Sequence, residues 1–361
     1  MNNEIKRIKF EDLGYDDFFE LKRRSLGLTE YSIARIITEY KEMYRVRDVN
    51  NEYLAKITGK QIFNATRRED YPAVGDWAVI TIVDKENAII HGVLPRKTML
   101  SKKYSNKQDI QVIATNIDIA FIVESVDRDY NLNRFERYLI LANEGKIKPV
   151  IVLNKIDLIS EEELNFKIKQ IKERFDNIDV IQVSTIKENG LNELKNYIEK
   201  GKTYCFIGSS GVGKSSLINK LLGKNEIKTQ EISNSTNKGK HTTTTREMYF
   251  LENGGIVIDN PGTRGVGIAN ANSGLDNIFD EITALSKNCK YSDCTHTHEL
   301  GCAVLEAIKA QNLDKDKYLN YLKLKKEAEY YEMNDVEKRG KDRKFGKFKK
   351  KVLDQFKKFE P

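Results

Sequence analysis

The chain has 361 residues, 39% of them hydrophobic, and 61 Lys and Arg against 54 Asp and Glu give it a formal net charge of +7. No apolar run approaches the ~18 residues that a membrane span needs. The charged N-terminus also lacks the apolar segment of a secretory signal. These features argue against a membrane protein and favour a cytoplasmic one, and the basic excess suits an anionic partner such as nucleic acid.

The first part of the chain predicts a helical extension followed by a small β-barrel. Residues 1–27 are charged and helical in pattern, and the sequence assigns them no role. Residues 28–100 contain short β-rich runs, among them YSIARIITEY, EYLAKI and DWAVITIV, separated by turn sequences such as PAVGD. Several short strands at this spacing indicate a five-stranded OB-like barrel. Such barrels often bind RNA, although a barrel that only packs against its neighbour fits the pattern too.

Residues 101–280 alternate apolar strands with amphipathic helices. The runs IDIAFIVESV, KPVIVLNK, DVIQVST and TYCFIGSS are typical of buried strands, and RFERYLILANEG is typical of a helix. This alternation predicts a mostly parallel α/β sheet that is covered on both faces.

The strand TYCFIGSS runs directly into GSSGVGKSS, a loop of small residues followed by the helix SSLINKLLG. Small residues let backbone N–H groups turn toward phosphate oxygens, and the helix directs its positive N-terminal end at the same phosphates. Here Lys214 would neutralise the β- and γ-phosphates, and the Ser215 hydroxyl would bind Mg²⁺. The predicted phosphate-binding residues are Gly208, Ser209, Ser210, Gly211, Val212, Gly213, Lys214, Ser215 and Ser216.

The motif NKID follows the strand KPVIVL and predicts a guanine site. An Asp at the end of a strand can accept hydrogen bonds from guanine N1–H and its exocyclic amine, a pair that adenine does not offer, so Asp157 would select guanine. Asn154 would brace the loop and contact the base, and the stem of Lys155 would lie on the ring. In the later sequence VST, a backbone N–H would meet guanine O6. The predicted base-binding residues are Asn154, Lys155, Ile156, Asp157 and Ser184.

A third motif, DNPG, follows the apolar strand GGIVI. Asp259 would hold Mg²⁺ through water, and the N–H of Gly262 would contact a γ-phosphate. Between this motif and the phosphate loop lies KGKHTTTT, in which a Thr, assigned to Thr243, would complete the Mg²⁺ shell only while γ-phosphate is present. A solvated linker is the alternative interpretation of this stretch. The predicted Mg²⁺ ligands are Ser215, Thr243 and Asp259.

Together these motifs form a full GTPase set in rotated order, because the base-reading elements precede the phosphate loop. Chain termini commonly lie close together, so old ends can be joined and new ends opened elsewhere. The sequence therefore predicts a circularly permuted P-loop GTPase that binds GTP and GDP with Mg²⁺. In this order residues 259–267, the second of the two segments expected to respond to the bound nucleotide, lead directly into the C-terminal region. The first such segment is KGKHTTTT.

The C-terminal region, residues 281–361, contains the spacing Cys-x4-Cys-x-His-x5-Cys, two helical stretches and the basic tail KRGKDRKFGKFKKK. Three thiolates and one imidazole complete a closed tetrahedral shell, which is typical of a structural Zn²⁺ site. His298 is an alternative to His296 as a ligand. Lys and Phe alternate in the tail, which suits RNA phosphates and bases but is equally compatible with a solvated tail. The predicted Zn²⁺ ligands are Cys289, Cys294, His296 and Cys302.

In these motifs the chain resembles the ribosome small-subunit-dependent GTPases of the RsgA type. The resemblance covers about residues 28–310 and rests on PAVGD, LPRKTML, ATNIDIAFIV, NLNRFERYL, NKID, GSSGVGKSS, GKHTTT, DNPG and the cysteine spacing. It implies an N-terminal OB barrel, a permuted GTPase core and a C-terminal zinc domain. It also implies binding to the small ribosomal subunit and its rRNA late in assembly, with GTP hydrolysis stimulated by that subunit.

The resemblance also bears on catalysis. The chain has Thr263 where Ras-like enzymes place a glutamine, and His241 in GKHTTT matches the histidine proposed in the family to orient water. The predicted catalytic set is therefore His241, Lys214 and Thr243. The family often has DTPG where this chain has DNPG.

Two other functions remain compatible with the sequence. The chain is a GTP-regulated binding module if hydrolysis serves only as a timer. It is an ATPase or another P-loop enzyme if the NKID motif does not select guanine. We expect a monomer.

Overall fold

A computed structural model describes residues 8–41, 43–59, 67–103, 110–127, 130–188, 190–225, 227, 246–260 and 272–333, with 337, 340 and 343. They fall into two compact units, the first with described residues from 8–102 and 110–260 and the second with Lys103 and the described residues from 272 onward. His241, Thr243, Gly262 and nearly all of the basic tail lie outside the described residues. The domain boundaries at 28, 101 and 281 stay predictions. Among the described helices, none is both long and apolar enough to cross a membrane.

A five-stranded barrel makes up part of the first unit. Its strands are β1 (Ser32–Glu39), β2 (Tyr44–Arg47), β3 (Glu52–Ile57), β4 (Trp77–Ile82) and β5 (Asn87–Val93). They are ordered β1-β2-β3-β5-β4, and β1 also pairs with β4, which closes the sheet on itself. Exposed and buried residues alternate along β3 and β5, so one side of each strand fills the interior. The predicted OB-like barrel is confirmed.

The segment before the barrel covers one of its faces. A short 3-10 helix (Phe10–Leu13) and helix α1 (Asp17–Ser25) precede β1. The ring of Tyr15 meets Trp77 edge-on at 4.8 Å between centroids, and Phe19 packs on both rings. Such contacts between buried rings contribute about 0.5–1.5 kcal/mol each beyond the area they bury. The segment to which the sequence assigned no role is therefore part of the barrel's packing.

A parallel α/β sheet forms the rest of the first unit. In chain order, strands β6 (Met99–Lys103) and β7 (Ile110–Thr115) come between the barrel and this sheet, and they pair with each other. The sheet consists of β8 (Ile119–Ser125), β9 (Lys148–Asn154), β10 (Val180–Gln182), β11 (Thr203–Ile207), β12 (Glu247–Phe250) and β13 (Ile256–Asp259). Its order is β10-β9-β8-β11-β13-β12, and only β12 among these strands runs antiparallel to its neighbour.

In the described part of the chain, the helices that connect the strands of this sheet are α2 (Leu132–Glu144), α3 (Glu161–Arg174), α4 (Asn192–Tyr197) and α5 (Lys214–Leu222). The stacked rings of Phe121 and Tyr204 pack with Leu217 and Ile218 of α5 in one buried cluster. Because β8, β9, β10, β11 and β13 are parallel, their carboxyl ends meet at one edge. NKID, VST, the phosphate loop and DNPG all follow strands at this edge.

Two sequence motifs, PAVGD and LPRKTML, join the barrel to strand β7. Asp76 accepts two hydrogen bonds from the guanidinium of Arg96, at 2.8 and 2.7 Å, one from the Thr115 hydroxyl at 2.7 Å and one from the N–H of Ala73 at 2.8 Å. Gly75 has a φ of 99°, and a Cβ there would lie 2.1 Å from the carbonyl oxygen of Thr115. The close approach of the two backbones therefore requires glycine.

The second unit contains α6 (Asn272–Ile278), α7 (Asp280–Ser286), α8 (Ala303–Lys309) and α9 (Lys315–Glu332). Phe279 is fully buried, and its ring meets Tyr321 of α9 at 5.3 Å between centroids. Lys317 of α9 lies 3.5 Å from the carboxylate of Glu281. The cysteine-rich segment lies between α7 and α8.

Candidate nucleotide and metal sites

The glycines of the phosphate loop are required by its backbone geometry. Gly208, Gly211 and Gly213 have φ values of 149°, 87° and 97°. A Cβ on Gly208 would lie 2.2 Å from the Val123 carbonyl oxygen, and one on Gly213 would lie 2.3 Å from Nδ2 of Asn154. Only glycine fits these two positions. Helix α5 begins directly after Gly213, so its N–H groups face the loop as in phosphate-binding helices.

Lys214 lies across the phosphate loop in this structure. Its Nζ donates to the carbonyl oxygens of Gly208 at 2.8 Å and Ser209 at 2.6 Å. Asp259 lies close to this lysine at the end of β13. Burial raises the pKa of Asp259 to about 6, and the Lys214 charge opposes that rise. The structure therefore brings together the predicted phosphate-binding lysine and the predicted Mg²⁺ aspartate.

Asn154 connects the predicted base site to the phosphate loop. Its Nδ2 donates to the carbonyl oxygen of Val212 at 2.8 Å, and its side chain is buried. Its Oδ1 has no hydrogen-bond partner among the described residues. Asn154 thus holds NKID against GSSGVGKSS and still has one unused acceptor.

Ser184 positions the predicted guanine-reading carboxylate. Its hydroxyl donates to Oδ1 of Asp157 at 2.5 Å. Its own backbone N–H donates to the carbonyl oxygen of Gly190 at 2.9 Å, so among the amides of VST this one is already bonded within the protein. The next amide along the chain, that of Thr185, has no partner among the described residues.

The sequence analysis did not predict two residues of this site, Asp127 and Tyr138. The ammonium of Lys155, whose backbone is left-handed at φ 62°, lies 3.1 Å from Asp127, which follows β8. Tyr138 of α2 is buried, which raises its pKa, while a hydrogen bond with the side chain of Ser209 opposes the rise. Asp127 and Tyr138 lie far in sequence from NKID and the phosphate loop, and no local motif marks either residue.

Three thiols and one imidazole meet in the second unit. The ligand atoms of the four residues lie within 4.8 Å of one another, and Nδ1 of His296 is 3.6 Å from one sulfur and 3.5 Å from another. Ligands bound to Zn²⁺ at about 2.0–2.3 Å in a tetrahedron lie roughly 3.5–3.8 Å apart, and the two distances from His296 to sulfur fit that range. The four residues are Cys289, Cys294, His296 and Cys302. The group can therefore hold a metal ion.

The alternative ligand, His298, is not part of this group. It is exposed, and its Nδ1 lies 2.8 Å from the hydroxyl of Thr297. His296 is buried with a left-handed φ of 60°, and its carbonyl oxygen accepts a hydrogen bond from Tyr318 at 2.5 Å. This geometry turns the His296 imidazole toward the sulfurs.

Comparisons with known proteins agree with this geometry. Residues 93–269 match the RsgA GTPase family model. The chain is 39% identical over 355 residues, 98% of each chain, to the Bacteroides thetaiotaomicron protein named Small ribosomal subunit biogenesis GTPase RsgA 1. The chain belongs to the RsgA GTPase family. A second relative in this family, from Lactiplantibacillus plantarum and named Small ribosomal subunit biogenesis GTPase RsgA 2, is 40% identical over 84% of this chain and 85% of its own.

Solved structures related to this RsgA-family chain share its fold. YjeQ from Thermotoga maritima is 28% identical with a TM-score of 0.61, covering 83% of this chain and 97% of its own. YloQ, described as a circularly permuted GTPase, has a TM-score of 0.57 at 23% identity over 84% of this chain and 97% of its own, and shows the fold alone. The predicted family, the permuted GTPase fold and the GTPase activity are confirmed.

Proposed function

We propose that this RsgA-family GTPase acts in biogenesis of the small ribosomal subunit, hydrolysing GTP when it is bound to that subunit in the cytoplasm. The names of its relatives support the process, because the chain spans nearly the full length of the Bacteroides protein. The proposed binding of GTP is supported above all by the Asn154–Val212 hydrogen bond. It links the predicted base-reading motif NKID to the predicted phosphate loop.

In this site each side chain has a separate task. Asp157, held by Ser184, accepts the guanine N1–H and exocyclic amine, and the amide of Thr185 donates to O6. Lys214 leaves its loop carbonyls to bind the β- and γ-phosphates, since phosphate oxygens are stronger acceptors. Bound Mg²⁺ would be held by Ser215, Asp259 and Thr243 and would neutralise charge on the phosphates.

The remaining roles rest on sequence matches. We propose that His241 orients the attacking water and that the N–H of Gly262 contacts the γ-phosphate. The group of three cysteines and His296 holds one structural Zn²⁺, because all four protein ligands are present and no coordination position is left for a substrate. The barrel, the zinc-binding region and the basic tail would contact rRNA, and the chain would act as a monomer.

Steady-state GTP turnover with and without purified small subunits tests this proposal. We expect large stimulation by small subunits, little by large subunits, and none in Lys214→Ala. Absence of both binding and stimulation would refute the ribosomal role and leave the GTPase assignment intact. Equal affinity for the subunit in the GTP-like and GDP states would argue against a GTP-regulated binding module.

Asp157→Asn tests the base assignment. An Asn amide presents a donor where the carboxylate presented an acceptor, which suits the 2-carbonyl of xanthine in place of the 2-amine of guanine. We expect affinity for GDP to fall by at least about tenfold while affinity for xanthosine diphosphate rises. Competition by ATP against the wild-type protein would contradict guanine selection.

A further inference from the structure

Strand β12, which follows the TTTT stretch, is hydrogen-bonded to the barrel as well as to the parallel α/β sheet. β12 begins at Glu247, directly after Arg246 and Thr245. Glu247 pairs with Thr38 of β1 on one side and with Asp259 of β13 on the other. One residue of β12 therefore lies in register with both the barrel and the predicted Mg²⁺ aspartate.

Arg246 fastens the beginning of this strand to the barrel. Its Nη1 lies 3.3 Å from the carboxylate of Glu39, the last residue of β1, and donates at 3.2 Å to the carbonyl oxygen of Val112 in β7. The Arg246 side chain is only 16% exposed. Burial raises the pKa of Glu39, and the Arg246 charge opposes the rise. A partly buried pair that is also bonded to backbone is more restrained than an ordinary surface ion pair.

The same ion pair adjoins a loop of the barrel in which Lys41 is exposed. Glu39 is followed by the β1–β2 hairpin, whose ends are joined by the N–H of Tyr40 and the carbonyl oxygen of Met43 at 2.8 Å. Because Glu39 directly precedes this hairpin in the sequence, a macromolecule that contacts the hairpin lies next to Glu39. The Glu39–Arg246 ion pair thus links the last residue of β1 to the residue that directly follows, in the sequence, the stretch with His241 and Thr243.

We propose that Glu39 and Arg246 are positioning residues for stimulated GTP hydrolysis. Contact of the small ribosomal subunit with the barrel hairpin shifts β1, and the Glu39–Arg246 pair transmits that shift to the residues directly before β12. This inference rests on the proposed function, which supplies the stimulating partner.

The test compares Glu39→Gln with Asp12→Asn in the full-length protein. Asp12 pairs with Lys200, in the loop before β11, at 2.5 Å and, within the described part of the chain, makes no hydrogen bond or ion pair with Arg246 or Glu39, so it is a matched loss of one carboxylate. Turnover is measured without subunits and across a subunit titration, which separates kcat from the subunit concentration at half-stimulation. We expect Glu39→Gln to reduce the ratio of stimulated to unstimulated kcat by roughly tenfold, and Asp12→Asn to leave it within about twofold.

A charge exchange provides the rescue. In Glu39→Arg combined with Arg246→Glu, the pair is re-formed in reverse, and stimulation should exceed that of either single variant. Thermal unfolding of each variant separates a loss of folding from a loss of transmission. If Glu39→Gln is stimulated to the wild-type kcat, or changes only the half-stimulating concentration, the inference is wrong while the proposed function stands. If the wild-type protein itself is not stimulated, the proposed function fails and the inference with it.

Discussion

Substituting Asp76 with Ala should lower the free energy of unfolding of the barrel by about 3–5 kcal/mol. The Asp76 carboxylate is fully buried and accepts four hydrogen bonds, two of them from the Arg96 guanidinium. The Arg96 side chain is only 15% exposed. Removing the carboxylate leaves a largely buried cation without its counter-charge, and breaking a buried pair in this way costs about 3–5 kcal/mol.

Urea unfolding followed by tryptophan fluorescence measures this loss. The chain has one tryptophan, Trp77, which is fully buried next to Asp76, so its emission reports the barrel. Glu173→Ala is the control, because Glu173 pairs with Lys169 at 3.7 Å on an exposed helix surface and should cost at most about 0.5 kcal/mol.

Replacing both members of the buried pair gives the sharper comparison. Asp76→Leu with Arg96→Met removes both charges, so it should be less destabilising than Asp76→Ala alone. The reasoning is refuted if Asp76→Ala shifts the urea midpoint no more than Glu173→Ala, or if the double variant is the less stable of the two.

Three further outcomes are expected. Gly213→Ala should lower affinity for GDP by at least about tenfold in a fluorescent-nucleotide titration, because the new Cβ meets Asn154. Gly223→Ala is the control: it also places an alanine at a positive φ, 71°, but no atom lies within 4 Å of its new Cβ, so it should bind GDP normally. Equal losses would contradict the steric argument. Asn260→Leu should stabilise the nucleotide-free protein by about 1 kcal/mol in thermal unfolding, since the buried amide has no hydrogen-bond partner among the described residues; a lower melting temperature would show that it has one. Cys294→Ser should reduce the zinc content measured by mass spectrometry and speed proteolysis of the cysteine-rich segment while GDP affinity stays unchanged; full zinc content would remove this cysteine from the ligand set.

The sequence predicted the motifs whose chemistry is local. A phosphate loop needs glycines and a lysine within nine residues, and a zinc site needs a short spacing of thiols, so both are visible in a linear pattern. The amide of Ser184 shows the limit of such patterns. VST follows β10, but which of its N–H groups can reach a base depends on how the following loop folds back, because the N–H of Ser184 is bonded to Gly190.

Contacts between distant segments were decided only by tertiary structure. Arg35 lies in the strand β1, where alternation alone would not predict a buried cation. Its guanidinium donates to the carbonyl oxygens of Leu13 and Asn116 and to the hydroxyl of Thr203, which is 168 residues away. Burial lowers its pKa to about 10. No window of sequence contains these partners together.

The order of the motifs was therefore determined by the sequence, and so was the chemistry that each motif supplies. The tertiary structure decided which groups meet: Asn154 with Val212, Asp76 with Arg96, and Arg246 with Glu39. The physical reason is that spacing along a strand or loop sets local geometry, whereas buried polar groups take whichever partners the packed fold brings within hydrogen-bond distance.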